Sequence, residues 1–281
     1  MISEERKREL ERVALSLRYN LLEMIGVGAP GHLGGSSSLA ETFAVLYFHK
    51  MRFDKSMLKD PDRDRLVLSK GHAALIQYSA LCEAGCFPRE ELKRVKALDG
   101  LLQGHPDMST PGIEAVTGSL GQGLSISLGM ALALRLDGSP ARVYAVMGDG
   151  EQAEGQLWEA AMAAARFGVD NLTAFLDWNK IQATGSTEEV FAIPNLAGKW
   201  TSFGWNVLTV DGHDISAICD GIEKAVACKG RPSLVILNTI KGKAFSFAEG
   251  NAAYHNGILT EETYGRAMKD LDAIKAAPGE G

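Results

Sequence analysis

The chain has 281 residues, 46% of them hydrophobic and 23% charged, a composition able to bury the core of one large α/β domain or two small ones. A formal net charge of -6 leaves no basic stripe for a nucleic acid. The charged start MISEERKRELER and the lack of a long apolar run exclude a signal peptide and a membrane helix, so cytoplasmic small-molecule chemistry is expected.

Leu10, Val13, Ala14, Leu17, Leu21 and Ile25 recur at three- and four-residue steps between charged residues, which predicts an amphipathic helix. The loop that follows, GVGAPGHLGGSSS, holds Gly26, Gly28 and Gly31 at the G-x-G-x-x-G spacing of dinucleotide sites. That motif requires a strand ahead of it and backbone N–H groups facing a pyrophosphate. Here a helix leads in and Pro30 removes a donor, which argues against a nicotinamide-dependent oxidoreductase. Ser38 and Glu41 have capping-box spacing and predict a helix through LAETFAVLYFHKM, with His49 as a structural residue near its end.

Cys82 and Cys86 fall four apart in one predicted helix, and Cys219 and Cys228 lie in a distant one. No zinc spacing results, so all are read as reduced structural thiols.

The apolar runs RLVLSKGH, VYAVMGDG, LTAFLDWN, WNVLTVDGHD and LVILNTIKG each end in a polar cluster, with helical stretches such as QLWEAAMAAARFG and ISAICDGIEKAVA between them. Such a chain predicts an α/β fold, a parallel sheet with helices on both faces. Ligands of these sheets bind beyond the carboxyl ends of the strands, where all five polar clusters lie. A domain over residues 1–270 is expected, with a disordered tail over 271–281.

The stretch MGDGEQAEGQLWEAAMAAARFGVDNLTAFLDWNKI reads strand, turn, helix, strand, and a right-handed crossover brings Asp149 and Asn179 to one sheet edge. A carboxylate and an amide oxygen suit Mg²⁺, which commonly completes its octahedron with phosphate oxygens. Gly148 and Gly150 would let a phosphate approach the backbone, and the helix after them presents its N-terminus. GDG alone is a common turn; the second oxygen at the next strand end is what points to a metal.

GDGEQAEGQLWEA followed by DWNKI resembles the motif of the thiamine diphosphate enzymes, and more narrowly the N-terminal half of transketolase. The resemblance implies a thiamin diphosphate-binding fold, thiamine diphosphate with Mg²⁺ (or Ca²⁺ or Mn²⁺) as cofactors, and a metal held by Asp149, Asn179 and the backbone carbonyl of Ile181. Trp178 departs from many relatives, which carry an additional Asn there, but the metal-binding Asn of the family is in place.

Four of the six histidines, His32, His72, His105 and His213, follow glycine, against about 0.7 such pairs expected from composition. A single Gly-His pair is ordinarily a plain turn. GHLGGSSS, RDRLVLSKGHAAL, GHPD and KGKAFSFAEGNAAYHNG, however, resemble the histidine motifs of transketolase. The resemblance implies catalytic sugar contacts for His32, His72 and His105, diphosphate and substrate contact for His255, and cofactor contact for His72 as well. Imidazoles suit a reaction that moves protons on and off sugar oxygens near neutral pH. His213, in DGHD, matches no catalytic loop and reads as a strand end before Asp214 caps the next helix.

VTGSLGQGLSISLGMALAL reads from composition as a glycine loop opening a small-residue helix. The resemblance lays the backbone of Gly118 and Leu120 along the aminopyrimidine ring of the cofactor. Glu154 is an acidic residue in the first turn of a helix, and it matches the family glutamate that faces an activating glutamate across an interface.

The resemblance runs from about Arg18 to His255, whereas single-chain transketolases continue into pyrimidine-binding and C-terminal domains. In the family the pyrimidine-binding domain provides the activating glutamate. The expectation is therefore a diphosphate-binding transketolase subunit, active only with a separate C-terminal subunit, in a heterotetramer about a twofold axis. It would move a two-carbon glycolaldehyde unit from a ketose to an aldose, with pentose-pathway phosphates, branched sugars and sulfonated sugars all open as substrates. Two alternatives stand beside it: half of a deoxyxylulose-phosphate synthase-like enzyme, whose segment after GDG normally reads differently, and a noncatalytic diphosphate-binding or regulatory module, which would need neither the metal pair nor the histidines.

Overall fold

The structure, a computed structural model, describes residues 2–276. In chain order the helices are α1 (Glu4–Ile25), α2 (Leu33–Ser37), α3 (Ala40–Val45), α4 (Ala74–Glu83), α5 (Gln122–Leu136), α6 (Gly155–Arg166), α7 (Thr187–Phe191), α8 (Leu196–Ser202), α9 (Ile215–Ala227) and α10 (Glu261–Ala276). The strands are β1 (Pro30–Gly31), β2 (Arg65–Leu68), β3 (Val143–Gly148), β4 (Leu172–Trp178), β5 (Ile181–Gln182), β6 (Gly185–Ser186), β7 (Asn206–Asp211), β8 (Ser233–Asn238) and β9 (Gly257–Ile258).

The five expected apolar runs form one parallel sheet in the order β2-β3-β4-β8-β7. Side chains alternate across it, as a strand demands. From β3, Tyr144 and Val146 enter a core shared with α1, α3, α4 and α9, while Val143, Ala145 and Met147 enter a second core shared with α5, α6 and α8. β4 and β8 divide likewise, with Phe175, Val235 and Leu237 on the first side and Leu176, Leu234 and Ile236 on the second. The sheet is thus covered on both faces, and each fully buried Leu or Val contributes about 1.5–3 kcal/mol against exposure.

Registers align the carboxyl ends of the strands: Gly148 lies opposite Asp177, and Asp177 opposite Leu237. One edge therefore receives the turns after β2, β3, β4 and β8.

α1 starts where Ser3 accepts the N–H of Arg6 at 3.2 Å and stops at Gly26, which takes a φ of 61°. The glycine loop then joins helix to helix through β1 rather than strand to helix. Asp214 caps α9 by accepting the N–H of Ser216 at 2.8 Å.

Three expectations need correction. Ser38 and Glu41 make no capping box: the Ser38 hydroxyl donates to Asp177 and the Glu41 carboxylate pairs with Arg18, so tertiary partners outcompete the local motif. The helix there is α3, continued by a π-helical turn over Leu46–Lys50. The tail is helical as far as Ala276, because Leu271 packs into the core and Asp272 accepts a 2.6 Å hydrogen bond from Tyr19; residues 277–281 of the expected tail lie outside the described residues. Cys86 lies beyond the end of α4 and Cys228 just past α9, and all four thiols are free.

Candidate active site

A cavity of about 420 Å³ opens at the carboxyl edge of the sheet. Its floor carries Gly148, Asp149 and Gly150 from the turn after β3, with Asn179 and Ile181 from the turn after β4. Leu120 and Glu154 line it from one side, and His72 and His255 from the other.

The histidines converge from distant segments. β1 pairs antiparallel with β9, Pro30 opposite Ile258 and Gly31 opposite Gly257, and this two-residue ladder carries His32 to His255. Their ring centroids are 5.5 Å apart, His32 and His72 are 5.4 Å apart, and His72 and His255 are 4.8 Å apart. His105 joins at 6.2 Å from His32 and is exposed.

Two of the neighbouring glycines have a steric reason. A Cβ at Gly71 would meet the Thr117 carbonyl at 2.6 Å, and Gly118, at a φ of 142°, lies under the His105 ring, where a Cβ would come within 2.7 Å. Gly118 thus backs His105.

Burial lowers three of these imidazoles and nearby cations push the same way. His32 falls to about 4, with His105, Lys96 and Lys241 acting after burial. His255 falls to about 3, aided by Lys241, and His72 to about 2, aided by Lys70. All three are neutral at pH 7; His32 and His72 each keep one donor and one acceptor, while His255 Nδ1 faces Lys241 Nζ at 3.1 Å and leaves its other nitrogen as a donor.

Below them the electrostatics reverse. Asp149 accepts the N–H of Gly150 at 2.7 Å through Oδ1, while Oδ2 is buried with no hydrogen-bond partner among the described residues. Burial, then the neighbouring Asp177, raises its carboxyl to about 6. A buried, unpartnered carboxylate oxygen is costly and is the natural ligand of a cation. Among the described residues no cluster of three or more His, Cys, Asp or Glu side chains forms a metal site; Asp149, Asn179 and Ile181 border the cavity together. Lys180, at a φ of 66°, turns the chain so that both Asn179 and Ile181 reach the cavity.

Several residues that sequence reasoning passed over organise this floor. Lys70 and Lys241 are each only 2% exposed. Lys241 donates to the Ile181 carbonyl at 2.7 Å and contacts His255 Nδ1 at 3.1 Å; burial, then Lys70, lowers it to about 8. Lys70 forms a fully buried ion pair with Asp177 and donates to the Gly35 carbonyl at 2.8 Å. Burial raises the Asp177 carboxyl, but Lys70 and the hydroxyls of Thr239 and Ser38 bring it net below the usual range.

Glu151 accepts from the Ser69 hydroxyl, from Gly121 N at 2.7 Å and from Gly148 N at 3.1 Å, which ties the turns after β2 and β3 to the start of α5. Glu154, by contrast, is exposed at the head of α6 and makes no capping bond. His213 is more than a strand end: its Nε2 accepts the N–H of Ile240 at 2.9 Å, its proton is therefore on Nδ1, and that nitrogen faces Glu41 at 3.1 Å. The available signal for both lysines was their place in SKG and IKG, immediately after buried strands.

Residues 11–273 match the family described as "Transketolase, thiamine diphosphate binding domain". SqwG of Clostridium sp. (strain MSTE9), a subunit of 6-deoxy-6-sulfo-D-fructose transketolase, is 46% identical over 95% of this chain and 98% of its own length. One of the subunits of apulose-4-phosphate transketolase from Phocaeicola vulgatus is 39% identical over 90% of each chain. Among solved structures, transketolase from Leishmania mexicana superposes with a TM-score of 0.88 at 29% identity, covering 94% of this chain and 41% of that one. The chain thus spans about two fifths of that transketolase and nearly all of the two shorter relatives.

Proposed function

The chain belongs to the transketolase family, as its thiamine diphosphate-binding domain, and we propose on that premise that it is one subunit of a two-polypeptide transketolase. The proposed reaction moves a two-carbon ketol unit from a ketose to an aldose. The observation that carries the reading is the convergence of three neutral imidazoles over a cation-seeking floor at one sheet edge.

Asp149, Asn179 and the Ile181 carbonyl would hold Mg²⁺. The orphaned Asp149 oxygen fits this role, and the Ile181 carbonyl, though it accepts from Lys241, keeps a second lone pair. Lys241 supplies positive charge for a diphosphate in the same cavity, beside Gly148 and Gly150, next to Lys70, whose own charge is paired with Asp177. When bound, thiamine diphosphate supplies the carbon nucleophile and electron sink for the two-carbon unit. His32, His72 and His255 orient the sugar hydroxyls and exchange protons with them, His72 and His255 also meet the cofactor, His105 meets the sugar farther out, and Gly118, Leu120 and Glu154 border the aminopyrimidine.

The two relatives of matching length bear the name of subunits, which supports a partner polypeptide. Met162 and Phe167 on and after α6 are about half exposed, at 50% and 51%, an apolar surface suited to being covered. Glu151 is spent on internal hydrogen bonds, so the activating glutamate is assigned to the partner, within a heterotetramer. The names of both relatives specify sugars ending in a sulfonate or a phosphate, and we assign this chain a sugar substrate with such an anionic end.

Native mass spectrometry of the chain purified from its own host tests the reading. A complex with a second polypeptide, thiamine diphosphate and a divalent ion is expected. A homo-oligomer that takes up neither cofactor when both are added overturns it.

A further inference from the structure

We propose that Asp177 is a positioning residue: its carboxylate turns the carbonyl oxygen of Asn179 toward the divalent cation and fastens to that ligand the segments carrying His32, His72 and Lys241. The inference rests on the cofactor reading above and adds to it a residue that touches neither sugar nor metal.

Asp177 is the penultimate residue of β4 and is 0% exposed. Its Oδ2 accepts from Asn179 Nδ2 at 2.8 Å, from Ser38 Oγ at 2.7 Å and from Lys70 Nζ, and its Oδ1 accepts from Thr239 Oγ1. The two ends of an asparagine amide are nearly alike in shape, but only the oxygen ligates a cation. Because Nδ2 is committed to an acceptor that cannot donate, Oδ1 is left on the opposite side, where among the described residues it meets only the N–H of Ile181 at 3.2 Å. One hydrogen bond thus selects the useful orientation.

The remaining donors come from three separate segments. Ser38 ends the segment that begins at His32, Lys70 precedes Gly71 and His72 after β2, and Thr239 lies two residues before Lys241 after β8. Lys70 alone would balance the charge of Asp177. The hydroxyls from two other segments add direction and not charge, as positioning requires. Polar partners behind a metal ligand fix its orientation in this way, and their loss commonly costs about 10–100-fold in metal affinity.

The test is Mn²⁺ binding, followed by electron paramagnetic resonance with excess thiamine diphosphate, on the full chain together with any polypeptide that accompanies it. Asp177→Asn keeps an acceptor for Asn179, since its own N–H can face Thr239, whose hydroxyl accepts as well as it donates. Asp177→Ala keeps none. Affinity in Asp177→Asn should stay within about threefold of the unsubstituted protein, while Asp177→Ala should lose about 10–100-fold. Adding Asn179→Ala to Asp177→Ala should cost little more, because the two act through one ligand.

Equal losses in Asp177→Asn and Asp177→Ala would show an effect of charge, and additive losses in the double variant an effect on the fold; either overturns the proposal. Should Asp177→Ala fail to fold, Asp177→Ala with Lys70→Met removes the orphaned ammonium. The same loss is then expected relative to Lys70→Met alone, and its absence overturns the proposal. Unchanged binding in Asp177→Ala defeats the positioning role alone, whereas no Mn²⁺ binding by the unsubstituted protein defeats the cofactor reading with it.

Discussion

The wall and the floor of the cavity solve opposite problems. The wall gathers His32, His72 and His255 as neutral rings, with His72 and His255 bordering the cavity and His32 carried to His255 by a two-residue ladder between β1 and β9. The floor is ionic: Lys70, Lys241, Asp149 and Asp177 are all buried, and most of their hydrogen-bonding capacity is used internally. A wall of this kind can adapt to a sugar whose hydroxyls change roles during reaction. A floor of this kind suits a cofactor that stays, because its groups are already oriented and need little reorganisation.

The comparison breaks most sharply at Asp149. Asp149→Ala removes the unpartnered oxygen and should abolish retention of the divalent ion and thiamine diphosphate, as measured by calorimetry, taking the activity of the assembled enzyme to background. A complex that kept its activity would make the chain a scaffold.

The wall should respond differently. His32→Ala should lower kcat/KM of the assembled enzyme by about 10²–10⁴-fold, the range of a lost proton-transfer group, while cofactor retention changes far less. Loss of cofactor in step with activity would erase the distinction between wall and floor.

The smallest expected effect is on stability. His32, His72 and His255 titrate at about 4, 2 and 3 in the folded chain against 6.5 when unperturbed. As pH falls below about 6.5 the unfolded chain therefore binds protons that the folded chain refuses, and stability falls. Asp149, raised from 3.8 to about 6, acts in the opposite direction over part of that window, as do Asp64 and Glu151, whose carboxyls burial also raises. The urea midpoint should drop between pH 7 and pH 5, with a shallower slope in His32→Asn combined with His72→Asn. A midpoint independent of pH would mean that the imidazoles are not shielded as described.

Much of this was legible before folding. The five strand-forming runs, the crossover that aligns Asp149 with Asn179, and the cap at Asp214 depend on local period and chain direction. The capping box at Ser38 and Glu41 failed for the complementary reason: Ser38 found Asp177 and Glu41 found Arg18, both remote in sequence. Lys70 and Lys241 escaped notice because lysine is seldom buried unless paired, and nothing local announces the pairing.

By itself, then, the sequence determined the sheet, the edge at which the cavity opens and the motifs that place the chain beside transketolase, since apolar periodicity and short motifs are encoded over a few residues. Only the tertiary structure decided that Pro30 pairs with Ile258, that Gly118 backs His105, that His213 braces Ile240 and that Asp177 gathers four segments. Those contacts join positions far apart in the chain, and their selection depends on which buried polar groups can satisfy one another once water is excluded.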